Sequence, residues 1–167
     1  MKIVLDTNVI VAAYATRGLA YSVFRLCLQK YKLIISSIIL EELESNFTKK
    51  LNMPPDEASM NLSFLRRTCG IGEITAVDPS RCRDRNDVHI LGLAENTKAD
   101  MIITGDNDLL EIHSYKGISI LSPRQFWEME RKTGSSASRQ KEIEKSKKIH
   151  DRQPEKYRTA SKKAPRK

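Results

Sequence analysis

The chain has 167 residues, 40% of them hydrophobic, which is enough for one compact domain with a sizeable core. Its formal charge of +8 is unevenly spread: residues 1–130 hold 15 Lys+Arg against 17 Asp+Glu, and the last 37 residues hold 14 against 4. The basicity therefore belongs to a C-terminal tail, and three scattered cysteines and three scattered histidines exclude a disulfide framework and a zinc site of paired spacing.

In chain order, residues 2–6 read as a buried strand, 8–16 and 20–31 as helices, and 33–36 as a second strand. Ser36 or Ser37 caps a helix to about Lys50, a turn falls at Pro54-Pro55, and a helix follows from Asp56 to Thr68. Residues 73–77 fit a third strand, 86–98 a helix, 101–104 a fourth strand and 118–121 a fifth. Ser122-Pro123 opens a last helix through Trp127, with Pro at the first helical position. Strands separated by helices predict an α/β fold in three α/β/α layers around a parallel sheet. Residues 1–131 form the expected domain.

Residues 132–167 form a basic tail whose only large apolar residues are Ile143, Ile149 and Tyr157. Such a segment is expected to be disordered, or a frayed helix around residues 138–152. It serves either as a solubilising extension or as an electrostatic arm for a polyanion, with Lys141, Lys145, Lys147, Lys148, Lys162 and Lys163 as the RNA-binding candidates. No segment reaches the ~20 apolar residues of a membrane span, and Asp6 and Asn8 interrupt what would be a signal-peptide core. A reducing cytoplasm is the expected location, with no membrane partner.

The chemistry concentrates where strands end. Lys2-Ile3-Val4-Leu5 stops on Asp6-Thr7-Asn8 before a second apolar run, and Met101-Ile102-Ile103 stops on Thr104-Gly105-Asp106-Asn107-Asp108. Polar groups buried between apolar runs need partners, and the carboxyl edge of an open α/β sheet is where ligands bind. In the helix after Ser37 the apolar stripe is Ile39, Leu43 and Phe47, so Glu41 points away and Glu42 and Glu44 flank it. In the helix after Asn86 the buried face is Ile90, Leu91 and Ala94, and Asp87 lies on that face one turn earlier. Asp6, Asp87, Asp106 and a glutamate of the earlier helix then converge, with Asp84 and Asp108 nearby and Asn8 and Thr104 as neutral partners. Carboxylates crowded on one edge repel, and a hard divalent cation with oxygen ligands, Mg²⁺ or Mn²⁺, relieves them.

Leu5-Asp6-Thr7-Asn8-Val9, Ser36-Ser37-Ile38-Ile39-Leu40-Glu41-Glu42-Leu43, Arg83-Asp84 with Asp87, and Thr104-Gly105-Asp106-Asn107-Asp108-Leu109 together resemble the successive motifs of PIN-domain ribonucleases. The branch most resembled is that of toxin components of toxin–antitoxin pairs. The resemblance runs in order over about residues 1–130, including Ile120-Leu121-Ser122-Pro123-Arg124-Gln125-Phe126. It implies a five-stranded parallel sheet and metal-dependent hydrolysis of RNA phosphodiesters with one or two ions. It places Asp6, Glu42, Asp87 and Asp106 on the acidic quartet, Asn8 and Thr104 on its hydrogen-bonding supports, and Asp108 on an extra acid. It also favours Glu42 over Glu44. Where the family usually has proline after Arg-Asp, Arg85 stands here, so Asp84 is an additional candidate rather than a quartet member.

The partners implied are RNA, an antitoxin protein and a second copy of the chain, for which Val23, Leu26, Cys27 and Tyr31 offer either a core face or a dimer seam. A receiver domain is disfavoured because no lysine closes the fifth strand, and a haloacid-dehalogenase-type phosphatase because Asn8 stands where a second acid is needed. The alternative from another class is a PIN-like module that binds RNA or protein with weak cleavage.

Overall fold

Strand β1 (Lys2–Leu5) buries Ile3, Val4 and Leu5 completely in a computed structural model, which describes residues 1–77 and 88–133. Such a strand needs cover on both faces, and its neighbours supply the same pattern: β2 (Lys32–Ile35) and β4 (Met101–Ile103) pair with it in parallel. With β3 (Gly70–Ile71), β6 (Ile118–Leu121) and β5 (Ser114–Tyr115) the sheet order is β3-β2-β1-β4-β6-β5. Five strands run parallel, and the short edge strand β5 is antiparallel to β6. The chain moves outward from β1 through β2 to β3, then returns to the other side of β1 for β4 and β6. With right-handed crossovers the connections from β1 to β3 and the connection from β3 back to β4 lay their helices on opposite faces, which makes three layers.

The outward leg carries α1 (Thr7–Ala15), α2 (Leu19–Lys30), α3 (Ser37–Lys49) and α4 (Pro55–Thr68). Tyr14 ties the first three together, its ring centroid 5.9 Å from Phe24 and 4.7 Å from Phe47. Val23 and Cys27 are fully buried and Tyr31 packs edge-on against Phe126, so these residues of the α2 face serve the core, while Leu26 is half-buried. The return leg carries α5 (Val88–Asn96), packed on β1 and β4, then α6 (Asn107–Ile112) and α7 (Pro123–Thr133). Ser122 and Gln125 close a reciprocal capping box at the start of α7, each side chain accepting from the other's N–H. Residues Met1–Trp127 form one compact unit. The lysines of the predicted arm lie outside the described residues, as does the segment 78–87.

The third strand departs from expectation. It occupies Gly70–Ile71 rather than residues 73–77, because β2 ends at Ile35 and Ser36 is already the cap of α3. The last pairing is Gly72 N–H to the Ile35 carbonyl at 2.8 Å. Beyond it the chain packs on α5: Thr75 N–H reaches the Gly92 carbonyl at 3.3 Å, and a Cβ at Gly92 would lie 2.2 Å from the Thr75 carbonyl oxygen. Glycine at position 92 is therefore a requirement of close approach, and it fixes the helix that begins at the acidic edge. The β5–β6 hairpin, also unforeseen, turns on Lys116 (φ 48°) and Gly117 (φ 84°), the positive-φ pair of a two-residue hairpin loop.

Candidate functional site

The sheet order reverses between β1 and β4, and a crevice outside the carboxyl ends of strands at such a switch is the ligand position of open α/β sheets. Register decides what stands there. Leu5 pairs with Ile103 and Ile103 with Leu121, so Asp6 and Thr104 emerge side by side, with Ser122 next in line.

Asp6 is 4% exposed and caps α1, its Oδ1 accepting from the Asn8 N–H at 3.0 Å. Its Oδ2 accepts from Thr104 Oγ1 at 2.6 Å. Thr104 is fully buried, and the same Oγ1 accepts from the Asp106 N–H at 2.9 Å, so one hydroxyl couples the ends of β1 and β4. Asp106 in turn caps α6, its Oδ1 accepting from Asp108 N–H at 2.7 Å and Leu109 N–H at 3.4 Å. From α3, which Ser36 caps, Glu42 reaches in: its Oε2 accepts from Thr7 Oγ1, and its Oε1 lies 3.6 Å from His89 Nε2. Glu41 and Glu44 are exposed, so the tie left by helix geometry resolves to Glu42.

Burial is the main force that raises the Asp6 carboxyl above its ordinary value. The hydrogen bonds from Thr104 and Asn8 oppose it, and the negative charges of Asp106 and Glu42 raise it further. The folded state thus holds the Asp6 proton to higher pH than the unfolded chain, and stability falls as pH rises from 3.8 through the raised value. Asn caps as well as Asp, so Asp106→Asn removes charge without removing the α6 cap. We expect this variant to melt higher than wild type in chelator, by about 2 °C. The gain should hold above the Asp6 titration and vanish below pH 3.8. A lower melting temperature at neutral pH would show that Asp106 is needed as an ionised acceptor.

Thr104→Val leaves Asp6 Oδ2 and the Asp106 N–H without their partner, and should cost about 1–3 kcal/mol by chemical denaturation. Thr104→Ser should restore most of it. Equal losses in both variants would assign the effect to packing of the methyl group.

Asp6, Thr104, Asp106 and Glu42 are thus brought to one edge. Asn8 contributes its backbone N–H, while its side chain is exposed. Asp108 sits half-buried in the first turn of α6. Asp84 and Asp87 lie outside the described residues, and among those described no three acidic, histidine or cysteine side chains close on a common metal position. Thr7 and His89 were not anticipated as part of the edge. Thr7 lies within the Asp6-Thr7-Asn8 motif itself, whereas nothing in the local sequence aims His89 at Glu42.

A family model described as PIN domain matches residues 2–108. Among solved structures the chain is similar to VapBC2 from Rickettsia felis, bound to a DNA fragment from their promoter, at 19% identity and a TM-score of 0.55, covering 73% of this chain and 98% of that one. It is also similar to PAE2754 from Pyrobaculum aerophilum at 19% identity and a TM-score of 0.52, covering 75% and 86%. No curated protein gives a significant match. The family model spans most of the chain and every described acid of the edge, and the chain belongs to the PIN domain family.

Proposed function

We propose that the protein is a metal-dependent endoribonuclease acting through Asp6, Glu42, Asp87 and Asp106, with Asn8 and Thr104 in support and Asp108 and Asp84 as further acids. PIN domains are generally nucleases that use divalent metals. The observation that carries the reading is Asp6: a buried carboxylate at the β1/β4 switch point, held by Thr104 and raised by burial and by the charges of Glu42 and Asp106.

The donors fit a hard cation. All are carboxylate oxygens, and their mutual repulsion is what one or two Mg²⁺ or Mn²⁺ ions would offset. Asp6 and Asp106 would hold the metal, and Glu42 and Asp87 would complete its surroundings or orient the attacking water. When bound, the cation supplies charge neutralisation at the phosphate and activation of water. The chain's own part is to fix the acids in place: Thr104 locks Asp6 against the Asp106 loop, and Thr7 fixes one oxygen of Glu42. Water adds to phosphorus, the P–O3′ bond breaks, and the products carry a 5′-phosphate and a 3′-hydroxyl.

Cleavage of single-stranded RNA by the full chain in Mn²⁺, abolished by excess chelator and yielding 5′-phosphate ends, is the expected result. Undiminished cleavage in chelator would overturn the reading.

The likeness to VapBC2 from Rickettsia felis supports a toxin role with an antitoxin partner, and a homodimer and a cytoplasmic location belong to the same proposal. No helix among the described residues is long and apolar enough to cross a membrane. A mildly acidic domain needs help to attract RNA, and we assign that to the arm bearing Lys141, Lys145, Lys147, Lys148, Lys162 and Lys163. Deleting residues 134–167 should leave the maximal cleavage rate intact and weaken RNA binding at low salt. The slope of log affinity against log salt should become shallower by about 0.7 per lost phosphate contact. An unchanged slope would make the arm a solvated extension.

A further inference from the structure

His89 stands in the first turn of α5, its side chain 15% exposed, and its Nε2 is sealed from solvent with no hydrogen-bond partner among the described residues. A histidine serving only the core has its buried nitrogen satisfied, since a sealed polar atom without a partner is unfavourable. The acidic group that faces this nitrogen is Glu42, whose Oε1 lies 3.6 Å away. That is a few tenths of an ångström beyond an ordinary N–H···O bond. The other Glu42 oxygen is already taken by Thr7 Oγ1. Glutamate has three rotatable bonds, so one hydrogen bond leaves its carboxylate free to swing, and a second fixes its plane.

We infer that His89 is a positioning residue for Glu42, its Nε2–H holding Oε1 while Thr7 holds Oε2, so that the carboxylate presents its remaining lone pairs to a divalent cation in the cleft. This rests on the nuclease reading of Glu42. Partners of this kind orient metal-binding carboxylates, and their loss weakens metal binding without removing a ligand.

The test uses Mn²⁺ alone as probe, titrated calorimetrically into the folded full chain, together with kcat and KM for RNA cleavage. Variants are His89→Leu, which fills the space without a donor, His89→Gln, whose amide N–H reaches the Nε2 position, and His89→Asn, whose amide falls short of it. His89→Leu and His89→Asn should weaken Mn²⁺ binding about tenfold or more and lower kcat with little change in KM, whereas His89→Gln should remain within about threefold of wild type. If the leucine variant fails to fold, the Asn and Gln pair carries the comparison. In a Glu42→Gln background, His89→Asn should add less than about a twofold effect, because the two act as one unit.

Wild-type Mn²⁺ binding in His89→Asn, with binding lost in Glu42→Gln, would overturn the positioning role and leave the nuclease reading intact. Equal loss in His89→Asn and His89→Gln would overturn it in favour of the imidazole as a ligand. Unchanged Mn²⁺ binding in both Asp6→Asn and Glu42→Gln would overturn the nuclease reading, and the inference with it.

Discussion

Asp6→Asn is expected to lower Mn²⁺-dependent RNA cleavage by about 10²–10³-fold, the size seen when one preorganised electrostatic group is removed from a reacting centre. The fold should persist, for reasons visible at the site. Asparagine caps a helix as well as aspartate does, so the α1 cap survives, and the side-chain oxygen can still accept from the Asn8 N–H. The variant also removes a carboxylate whose ionisation is opposed by burial and by two neighbouring charges. Circular dichroism and a melting curve alongside the cleavage assay separate the two effects. Full cleavage by a folded Asp6→Asn protein would remove Asp6 from the chemistry.

The second large effect distinguishes two adjacent glutamates. Glu42→Gln should cost about 10²-fold in cleavage, since a neutral amide beside Thr7 loses the charge a cation needs. Glu41→Gln changes an exposed residue on the outer side of α3 and should stay within about twofold of wild type. Parallel rate measurements on the two variants check the facing of the helix directly. Equal losses would mean that α3 is rotated relative to the site, or that Glu42 acts only through overall charge.

The parts of this architecture that were legible in the sequence are those written in short-range physics. The apolar run ending in Asp6, the run ending in Thr104 and the Ser-Pro start of α7 each declare a strand or a cap within a few residues. Ser36 and Ser37 were equivalent by pattern, and Ser36 proves to be the cap because its Oγ accepts from the Ile39 N–H. The apolar pattern at residues 73–77 does not mark the third strand because that strand's end is set by a neighbour: β2 runs out at Ile35, and residues 73–77 have nothing left to pair with. The Lys116-Gly117 turn carries no clear sequence signal because its strand β5 is only two residues long.

The site divides in the same way. Asp6, Thr104 and Asp106 were found as strand-end residues, and pairing of Leu5 with Ile103 explains why they meet. Glu42 and Glu44 flank the apolar stripe alike. Contacts from other helices, Thr7 of α1 and His89 of α5, separate them. His89 was invisible because its meaning depends on an oxygen from α3, and no periodicity within α5 encodes that.

Locating manganese in crystals of the full chain tests the centre most directly. Anomalous scattering from Mn²⁺ should give a peak at the carboxyl ends of β1 and β4, bonded to Asp6 and Asp106 at about 2.0–2.2 Å as expected for a small hard cation. Glu42 and Asp87 should be oriented toward that peak, and it should disappear in Asp6→Asn crystals. A cleft without manganese, with the ion bound instead at the opposite end of the sheet beside Glu95 and Asp100, would contradict a metal-dependent nuclease centre at Asp6.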